Sequence, residues 1–310
     1  MRRMKTILGD IPETDLGITL VHEHICCYSE YVYTMCGSQY LDKDALVFAA
    51  VNHLKEMKKT YGLQTVIDCT PVNLGRDLEL LKNIAEKSGV HIICATGFYH
   101  TEECLLRQAT DDQIASYIIS DAKTVNAGII KCAVENPAIG AYDEKMLRAS
   151  AKAQLALGIP IVLHTNANNQ NGLAALEILF SEGVEPQAIT VGHLSDTEDL
   201  EYVRKIAELG CYIGFDRLYD HESEAYINQK IHAIEVLCQE GYLEQILLSH
   251  DALFFNGFET ECKIDPKPRF SYCFDHILPR LPKHTAETIM VNNPRRMFQW
   301  GGNNRKGEGI

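Results

Sequence analysis

The sequence predicts an α/β protein folded as a single (β/α)8 barrel, the TIM barrel. Short apolar runs alternate with amphipathic stretches of helical length eight times along the 310 residues, a length at which α/β barrels are often one domain. An open doubly wound sheet would also alternate, but it usually carries a glycine-rich phosphate turn after its first strand, and the sequence has none there. We therefore expect one barrel domain over residues 1–300 and a disordered tail over 301–310.

Each element follows from the hydrophobic pattern of its segment. Short apolar runs predict strands, and longer stretches with apolar residues on one helical face predict helices. The predicted strands are residues 18–21, 65–70, 91–97, 128–132, 160–164, 188–193, 211–216 and 246–251. The predicted helices are residues 42–61, 75–87, 111–126, 143–157, 172–182, an acidic-capped helix that opens at Asp196, and residues 223–240, 270–281 and 284–298.

The composition favours a soluble protein that acts on a small molecule. The formal net charge of −13 argues against binding to the phosphates of nucleic acid or of an anionic membrane. No apolar stretch approaches the ~20 residues of a membrane helix, and the basic N-terminus lacks the apolar segment of a signal peptide. The eleven cysteines include no CxxC pair, which is typical of free thiols in a reducing compartment. We therefore expect a cytoplasmic location.

Two histidines end the first predicted strand. Residues two apart in a strand share one face, so His22 and His24 could bind one cation, or they could be hydrogen-bonded structural residues. In a parallel barrel the catalytic groups lie at the C-terminal ends of the strands. Other charged or metal-binding side chains stand at those ends: Lys131, His164, His193 and Asp251. Their joint placement at one edge favours a metal site.

A purely structural role is harder to assign to Lys131 than to Asp251. Lys131 follows Gly-Ile-Ile in an apolar strand, where an unpaired ammonium group is costly, so a neutral and reactive amine is expected. Asp251 could be only the N-cap of whatever follows it.

Several motifs occur in the order found in a known enzyme family. They are His22-Glu23-His24, Ala127 to Lys131, Leu163-His164-Thr165, Val191-Gly192-His193 followed by Asp196-Thr197 and Asp199-Leu200, Gly214-Phe215-Asp216, Leu248-Ser249-His250-Asp251, and Asn293-Pro294. On these motifs nearly the whole chain resembles the phosphotriesterase family of the amidohydrolase superfamily. The segments 96–99, 216–217 and 267–272 resemble the lactonase branch of that family.

The resemblance implies a binuclear metal centre at the C-terminal face of the barrel. The more buried ion would be bound by His22, His24 and Asp251. The more exposed ion would be bound by His164 and His193. Imidazoles with a few oxygen ligands suit zinc, and also manganese, cobalt or nickel, better than calcium.

Two further features of the centre follow from the resemblance. Lys131 would bridge both ions after its amine takes up carbon dioxide to form a carbamate. Strand alternation, rather than the resemblance, indicates that Glu23, between the two histidines, faces away from the barrel axis, and it is not expected to be a ligand. A hydroxide shared by the ions would be the nucleophile.

The resemblance to the lactonase branch also implies a substrate. Asp251 would pass the released proton to the leaving oxygen as a general acid. Tyr99 could hydrogen-bond the hydroxide or the leaving oxygen, and Arg217 could orient the substrate or brace its loop. The simpler interpretations are a rim aromatic for Tyr99 and a surface ion pair for Arg217. The expected activity is that of a metal-dependent lactonase with weak phosphotriesterase side activity.

Two alternatives remain open. The substrate could be a phosphorylated sugar lactone or a phosphoester, because basic groups that could receive a phosphate follow the last strands: Arg217, Lys263, Lys267 and Arg269. The protein could also be a metal-stabilised barrel that binds a ligand without turnover. The aromatic loop 252–258 should cover the pocket, and the mouth histidines His100 and His221 could touch substrate. Relatives in the family are often homodimers, so the resemblance implies a homodimer.

Overall fold

The computed structural model of the protein describes residues 2–218 and 223–299. Eight parallel strands form one sheet in which each strand pairs with its neighbours in chain order, and helices surround the sheet. The predicted TIM barrel is therefore confirmed. The strands are β1 (Ile18–Glu23), β2 (Leu63–Asp68), β3 (His91–Gly97), β4 (Ile129–Ala133), β5 (Ile161–His164), β6 (Ile189–Val191), β7 (Tyr212–Phe215) and β8 (Ile246–Leu248).

A helix follows each of the first seven strands. Local capping fixes the ends of these helices; for example, the Asp42 carboxylate accepts from the backbone N of Ala45, and Gly62 ends the same helix with φ 74°. The helices are α1 (Lys43–Tyr61), α2 (Leu78–Ser88), α3 (Asp111–Val125), α4 (Ala141–Leu157), α5 (Gly172–Ser181), α6 (Leu200–Glu208) and α7 (Glu224–Gln239).

Two apolar clusters form the core. The larger one lies between the sheet and the surrounding helices, and the smaller one fills the barrel. The smaller cluster includes Leu16, two residues before β1, together with Val21, Ile67, Ile93, Ile129, Val162 and Leu247. The barrel is thus packed from its N-terminal end, which leaves the polar groups to the C-terminal face.

The two edge strands of the sheet, β1 and β8, meet at their C-terminal ends. The backbone N of Asp251 donates to the carbonyl of His22 at 3.0 Å, and the backbone N of His24 donates to the carbonyl of Ala252 at 2.9 Å. A register irregularity between Leu20 and Glu23 changes the side-chain alternation of β1 just before the two histidines. The seam that nearly closes the barrel therefore lies beside the predicted site.

Two predicted helices differ from the structure. The helix expected to open at Asp196 begins at Leu200, because the Asp199 carboxylate accepts from two backbone N–H groups and caps it there. The last helical region is divided into π-helix Cys273–Ile277, 3₁₀-helix Leu278–Arg280, α-helix Lys283–Glu287, π-helix Thr288–Asn292 and α-helix Asn293–Met297. Prolines within this region lack the N–H that a continuous helix requires.

Some local elements were not predicted from the sequence. These are the antiparallel pair Arg3–Met4 and Ile11–Pro12 and the short helices Glu30–Cys36 and Cys104–Gln108. No helix in the described part of the chain combines the length and hydropathy that a bilayer span requires. The predicted tail 301–310 and His221 lie outside the described residues.

Candidate metal centre and active site

The predicted ligands come together at the C-terminal face of the barrel. The His24 Nε2 atom lies 3.2 Å from Oδ1 of Asp251, and the His22 Nε2 atom lies 3.6 Å from that oxygen. On the other side of His22, its Nε2 atom lies 2.8 Å from the Lys131 Nζ atom. The remaining two imidazoles meet through His193 Nε2 and His164 Nδ1, 2.7 Å apart. All six side chains are largely or fully buried.

Two groups of ligand atoms are close enough to hold a cation. In the first, one ligand atom from each of His22, His24 and Asp251 lies within 4.8 Å of the others. In the second, atoms of His22, His193 and Asp216 meet the same limit. The first group is the ligand set that the family resemblance implied for the more buried ion.

Each of the four imidazoles has one nitrogen bound to an oxygen outside the cluster. Asp216 binds two of them, with Oδ2 at 2.5 Å from His22 Nδ1 and Oδ1 at 2.9 Å from His193 Nδ1. This carboxylate is buried. It therefore fixes the orientation of two rings that belong to different strands.

The other two imidazoles have separate outer partners. The hydroxyl of Thr70 lies 2.8 Å from His24 Nδ1, and Oε2 of Glu135 lies 2.9 Å from His164 Nε2. In every case the second ring nitrogen faces the inner cluster. Histidines that bind metals are held in this way, so the residues present fit a metal centre.

Asp216, Glu135 and Thr70 were not predicted as functional residues. Each follows the end of a strand, β7, β4 and β2 respectively, and so shares the edge of the sheet that carries the ligands. Position at that edge was the signal that could have found them. The sequence could not show that they contact imidazoles, because the contacts join different strands.

The electrostatics of the cluster give some groups the protonation states that metal ligands need. Burial lowers the pKa of His22 to about 4, and burial also lowers the pKa of His164 well below its usual range. Burial would raise the pKa of the Asp216 carboxyl, but the imidazoles of His193 and His22 reverse the direction and lower it. His22 and His164 are therefore neutral, and the Asp216 carboxylate is ionised, at neutral pH.

His24 differs from these two imidazoles. Burial would lower its pKa, but the neighbouring Cys27 and the hydrogen-bonded carboxylate of Asp251 raise the pKa to about 10. His24 therefore carries a proton at neutral pH in this structure. A cation bound to His24 would have to displace that proton.

The backbone of two predicted ligands is left-handed. His193 has φ 64° and Asp251 has φ 52°, a region that residues other than glycine rarely adopt. His193 is held by a 2.7 Å hydrogen bond from its backbone N to Oδ1 of Asp216, and Asp251 by its bond to the His22 carbonyl. Tertiary contacts thus offset a local cost of about 1–3 kcal/mol at each residue.

Tyr99 lies beside the cluster. Its ring centroid is 5.1 Å from that of His164, in an edge-on arrangement. Gly97 allows this approach because its φ is 90° and a Cβ there would lie 2.1 Å from the Lys131 carbonyl oxygen. Burial, with the negative charges of Asp251 and Glu135, raises the pKa of Tyr99 to about 12, so its hydroxyl remains a donor.

Arg217 also contacts the cluster. Its Nε donates to Oδ2 of Asp251 at 2.9 Å, and its Nη1 donates to Oδ2 of Asp196 at 2.8 Å. Burial would lower the pKa of Arg217, but the two carboxylates raise it, so the guanidinium stays charged. Its contacts are with a predicted ligand rather than with a surface partner.

Other residues that the sequence placed near the C-terminal opening of the barrel make contacts outside the ligand cluster. Lys267 pairs with Glu56 of α1 at 3.1 Å, and Lys263 pairs with Glu261. In the loop 252–258, Phe254 and Phe255 are buried in packing, while Phe258 is exposed. The His100 ring lies 4.2 Å from that of Tyr99. These positions weaken the case for a phosphate-binding mouth built from Lys263 and Lys267.

The chain is similar to known proteins along most of its length. The sequence model of the phosphotriesterase family matches residues 2–298. An aryldialkylphosphatase of Saccharolobus solfataricus is 32% identical over 306 residues, covering 93% of this chain and 96% of the relative. A phosphotriesterase homology protein of Mycobacterium tuberculosis is 29% identical over 325 residues, covering 97% and 99%. The N-acetyltaurine hydrolase of Homo sapiens is 25% identical over 349 residues, covering 96% and 97%.

Proposed function

The chain belongs to the phosphotriesterase family and is a hydrolase, and we propose that it is a metal-dependent lactonase with weak phosphotriesterase side activity. The main structural evidence for a lactone substrate is a pair of side chains beside the ligand cluster. The phenol of Tyr99 lies against His164, and the guanidinium of Arg217 binds Asp251. Both groups can act on oxygen atoms of a small ester.

The metal ligands divide between two cations in this proposal. His22, His24 and Asp251 would hold one, His164 and His193 would hold the other, and Lys131 would be shared. Divalent cations, zinc or else manganese, cobalt or nickel, would polarise the scissile carbonyl and make a water molecule more acidic. The outer oxygen partners of the four imidazoles support this division because they leave one nitrogen of each ring for a cation.

The surroundings of Lys131 support a carbamate at this position. Its side chain is 1% exposed, and no carboxylate among residues 2–218 and 223–299 lies within 4 Å of its Nζ atom. An ammonium group buried without an acid is unfavourable. As a neutral amine, Lys131 would form a bond from Nζ to the carbon of carbon dioxide and release one proton. The product is a carbamate anion.

Three side chains near the ligand cluster would assist proton transfer during ring opening. Asp251 would accept a proton from the attacking water and pass it to the ring oxygen as the ester bond breaks. Arg217 would hold one oxygen of Asp251 during this transfer. Tyr99 would donate a hydrogen bond to the leaving oxygen, since no hydrogen bond engages its hydroxyl within the described residues.

The leaving group explains why these donors favour a lactone. Ring opening releases an alkoxide, which is strongly basic and requires a proton or a donor as it forms. An aryl phosphotriester releases a more stable aryloxide, which depends less on such help. Tyr99 and Arg217 would therefore contribute more to lactone hydrolysis than to phosphotriester hydrolysis.

The test is a substrate panel on one preparation with measured metal content. The panel contains γ- and δ-lactones of different chain lengths, an aryl dialkyl phosphate and N-acetyltaurine. We expect a lactone to give the highest kcat/KM, and Lys131→Ala to remove most of the metal and activity. Turnover of the phosphate ester without opening of any lactone would contradict the proposed substrate.

A second candidate is phosphotriester hydrolysis as the main activity. It is favoured by the aryldialkylphosphatase name of the relative that is 32% identical. A phosphorylated sugar lactone receives less support, because Lys263 and Lys267 are paired with Glu261 and Glu56. Phosphorylated and unphosphorylated lactones assayed together separate these substrates. Measurable turnover of any member of the panel excludes a barrel that only binds its ligand.

A further inference from the structure

Glu23 lies between two predicted metal ligands but its carboxylate is bound elsewhere. The side chain is fully buried. Its Oε1 accepts hydrogen bonds from the Ser249 hydroxyl at 2.8 Å, the His250 backbone N at 3.0 Å and His250 Nδ1 at 2.7 Å. Its Oε2 accepts from the backbone N of Ala252 at 3.0 Å. Every donor belongs to segment 249–252, which contains the predicted ligand Asp251.

The neighbours of Glu23 bind the same segment through their backbones. The His22 carbonyl accepts from the backbone N of Asp251, and the backbone N of His24 donates to the carbonyl of Ala252. Three consecutive residues of the first strand region thus hold the chain directly before, at and directly after Asp251. No ladder of strand pairs joins β1 to β8 within the described residues, so these bonds replace one.

Asp251 needs this support because its backbone is left-handed, with φ 52°. An aspartate in that conformation is strained relative to its usual backbone regions. The Glu23 carboxylate binds the backbone N of residues 250 and 252, on both sides of the strained residue. The conformation turns the Asp251 carboxylate toward His24 and His22.

His250 extends the contact to the last helical region. Its Nδ1–H donates to Glu23, while its Nε2 accepts from the backbone N of Cys273 at 3.1 Å. In this pair of bonds Nδ1 carries a proton and Nε2 acts as the acceptor. The ring also lies parallel to that of Phe270, with centroids 6.4 Å apart.

We infer that Glu23 and His250 are positioning residues of the metal centre: they hold Asp251 in the backbone conformation that presents its carboxylate to the cation shared with His22 and His24. The inference rests on the proposed function only in requiring that a cation binds these ligands. It assigns no direct contact with substrate or metal to either residue. Its consequence is that metal affinity depends on a hydrogen bond that lies outside the ligand cluster.

The first test compares Glu23→Gln with Asp121→Asn. Glutamine keeps the shape of the side chain but places an N–H₂ group where one carboxylate oxygen accepts. Asp121 is the matched control, because its carboxylate is bound by Arg76 through two hydrogen bonds at 2.7 and 2.8 Å, away from the predicted ligands. Metal-free protein is titrated with Co²⁺ against a chelating dye, and the visible absorption of the bound cobalt is recorded.

We expect Glu23→Gln to bind cobalt ~10–100-fold more weakly and to change the shape of its visible spectrum. Asp121→Asn should lower thermal stability, but its cobalt affinity and the visible spectrum of its bound cobalt should match those of wild type. A change of stability alone cannot alter the cobalt spectrum, so the comparison separates positioning from folding.

A second pair of variants tests the bond to His250. In His250→Asn the amide nitrogen can occupy the place of Nδ1 and retain the bond to Glu23. In His250→Gln the longer side chain reaches toward the Nε2 position and loses that bond. We expect cobalt affinity close to wild type for asparagine and the weak binding of Glu23→Gln for glutamine. If Glu23→Gln does not fold, this pair decides the question.

Unchanged cobalt affinity and spectrum in Glu23→Gln, or in His250→Gln where only that pair folds, would overturn the inference. The outcome is independent of the substrate. Wild-type protein that binds cobalt but opens no lactone contradicts the proposed function and leaves the inference to be decided by the titration. Wild-type protein that binds no cobalt contradicts both.

Discussion

Arg217 binds Asp251 on the carboxylate oxygen that does not face His24. The guanidinium Nε lies 2.9 Å from Oδ2, whereas Oδ1 lies 3.2 Å from His24 Nε2. Oδ2 of Asp251 thus pairs with the guanidinium of Arg217, while Oδ1 faces the predicted metal ligand His24. Because Arg217 also binds Asp196, the orientation of Asp251 is fixed by the loops after β6 and β7.

Arg217→Lys should lower kcat/KM for the lactone by ~10–100-fold. Lysine carries a single ammonium group and cannot reach both Asp251 and Asp196 with the geometry of the guanidinium. Metal content per chain, measured by mass spectrometry, should stay at the wild-type value. Loss of metal together with activity would show that Arg217 maintains the ligand cluster itself.

Lys131→Met should lose most of the bound metal, whereas Lys131→Glu should retain part of it. Methionine matches the length of the side chain but offers no anionic oxygen, and glutamate supplies a carboxylate without carbon dioxide. The check is metal content after gel filtration, with a ¹³C carbamate signal sought in wild type under labelled carbon dioxide. Equal metal content in the methionine variant and wild type would argue against a bridging role.

Tyr99→Phe should reduce lactone turnover more than turnover of an aryl phosphotriester. The substitution keeps the ring against His164 and removes only the hydroxyl, whose pKa of about 12 leaves it protonated at neutral pH. We expect a loss of ~10–100-fold in kcat for the lactone. The two substrates are assayed on the same preparation, and equal losses for both would remove the basis for a special role in lactone opening.

Asp216→Asn should weaken metal binding by ~10–100-fold and lower the free energy of unfolding by ~1–3 kcal/mol. The amide can accept from one imidazole but not from both His22 and His193, so one buried ring nitrogen loses its partner. Glu135→Gln is the comparison, because Glu135 is 40% exposed and binds one imidazole. An effect of equal size in both variants would contradict the importance of the shared, buried carboxylate.

Metal-free protein should lose stability as the pH falls from about 6.5 to about 4. Folding lowers the pKa of His22 from its ordinary value of 6.5 to about 4, so in this range the unfolded chain binds a proton that the folded chain does not. The free energy of unfolding therefore rises with pH across the range, by about 3 kcal/mol for this group. Denaturant unfolding at a series of pH values measures the slope.

His22→Asn supplies the control for the pH dependence. The variant lacks the titrating ring, so its slope between pH 4 and 6.5 should be smaller than that of wild type. Parallel slopes for the two proteins would mean that other groups cause the acid destabilisation. Both proteins must be free of metal, because a bound cation would compete with the proton.

The fold was predictable because the hydrophobic pattern is local. The eight strands and most helices were predicted within a few residues. The spacing of apolar residues along a segment indicates which face of a strand or helix is buried. The start of α6 was not predicted correctly. Asp196 and Asp199 are equally plausible N-caps in the sequence, and only packing selects Asp199. The division of the last helical region likewise depends on proline and on tertiary contacts.

The sequence by itself determined which chemical groups stand at the C-terminal ends of the strands, including His22, His24 and Lys131. Their convergence follows from the barrel, because parallel strands bring their ends to one face. Only the tertiary structure decided their partners. Asp216 reaches two imidazoles and Glu23 holds the segment of Asp251 through contacts between residues far apart in the chain. Such contacts leave no periodic signal, since they depend on distances that exist only after the barrel has closed.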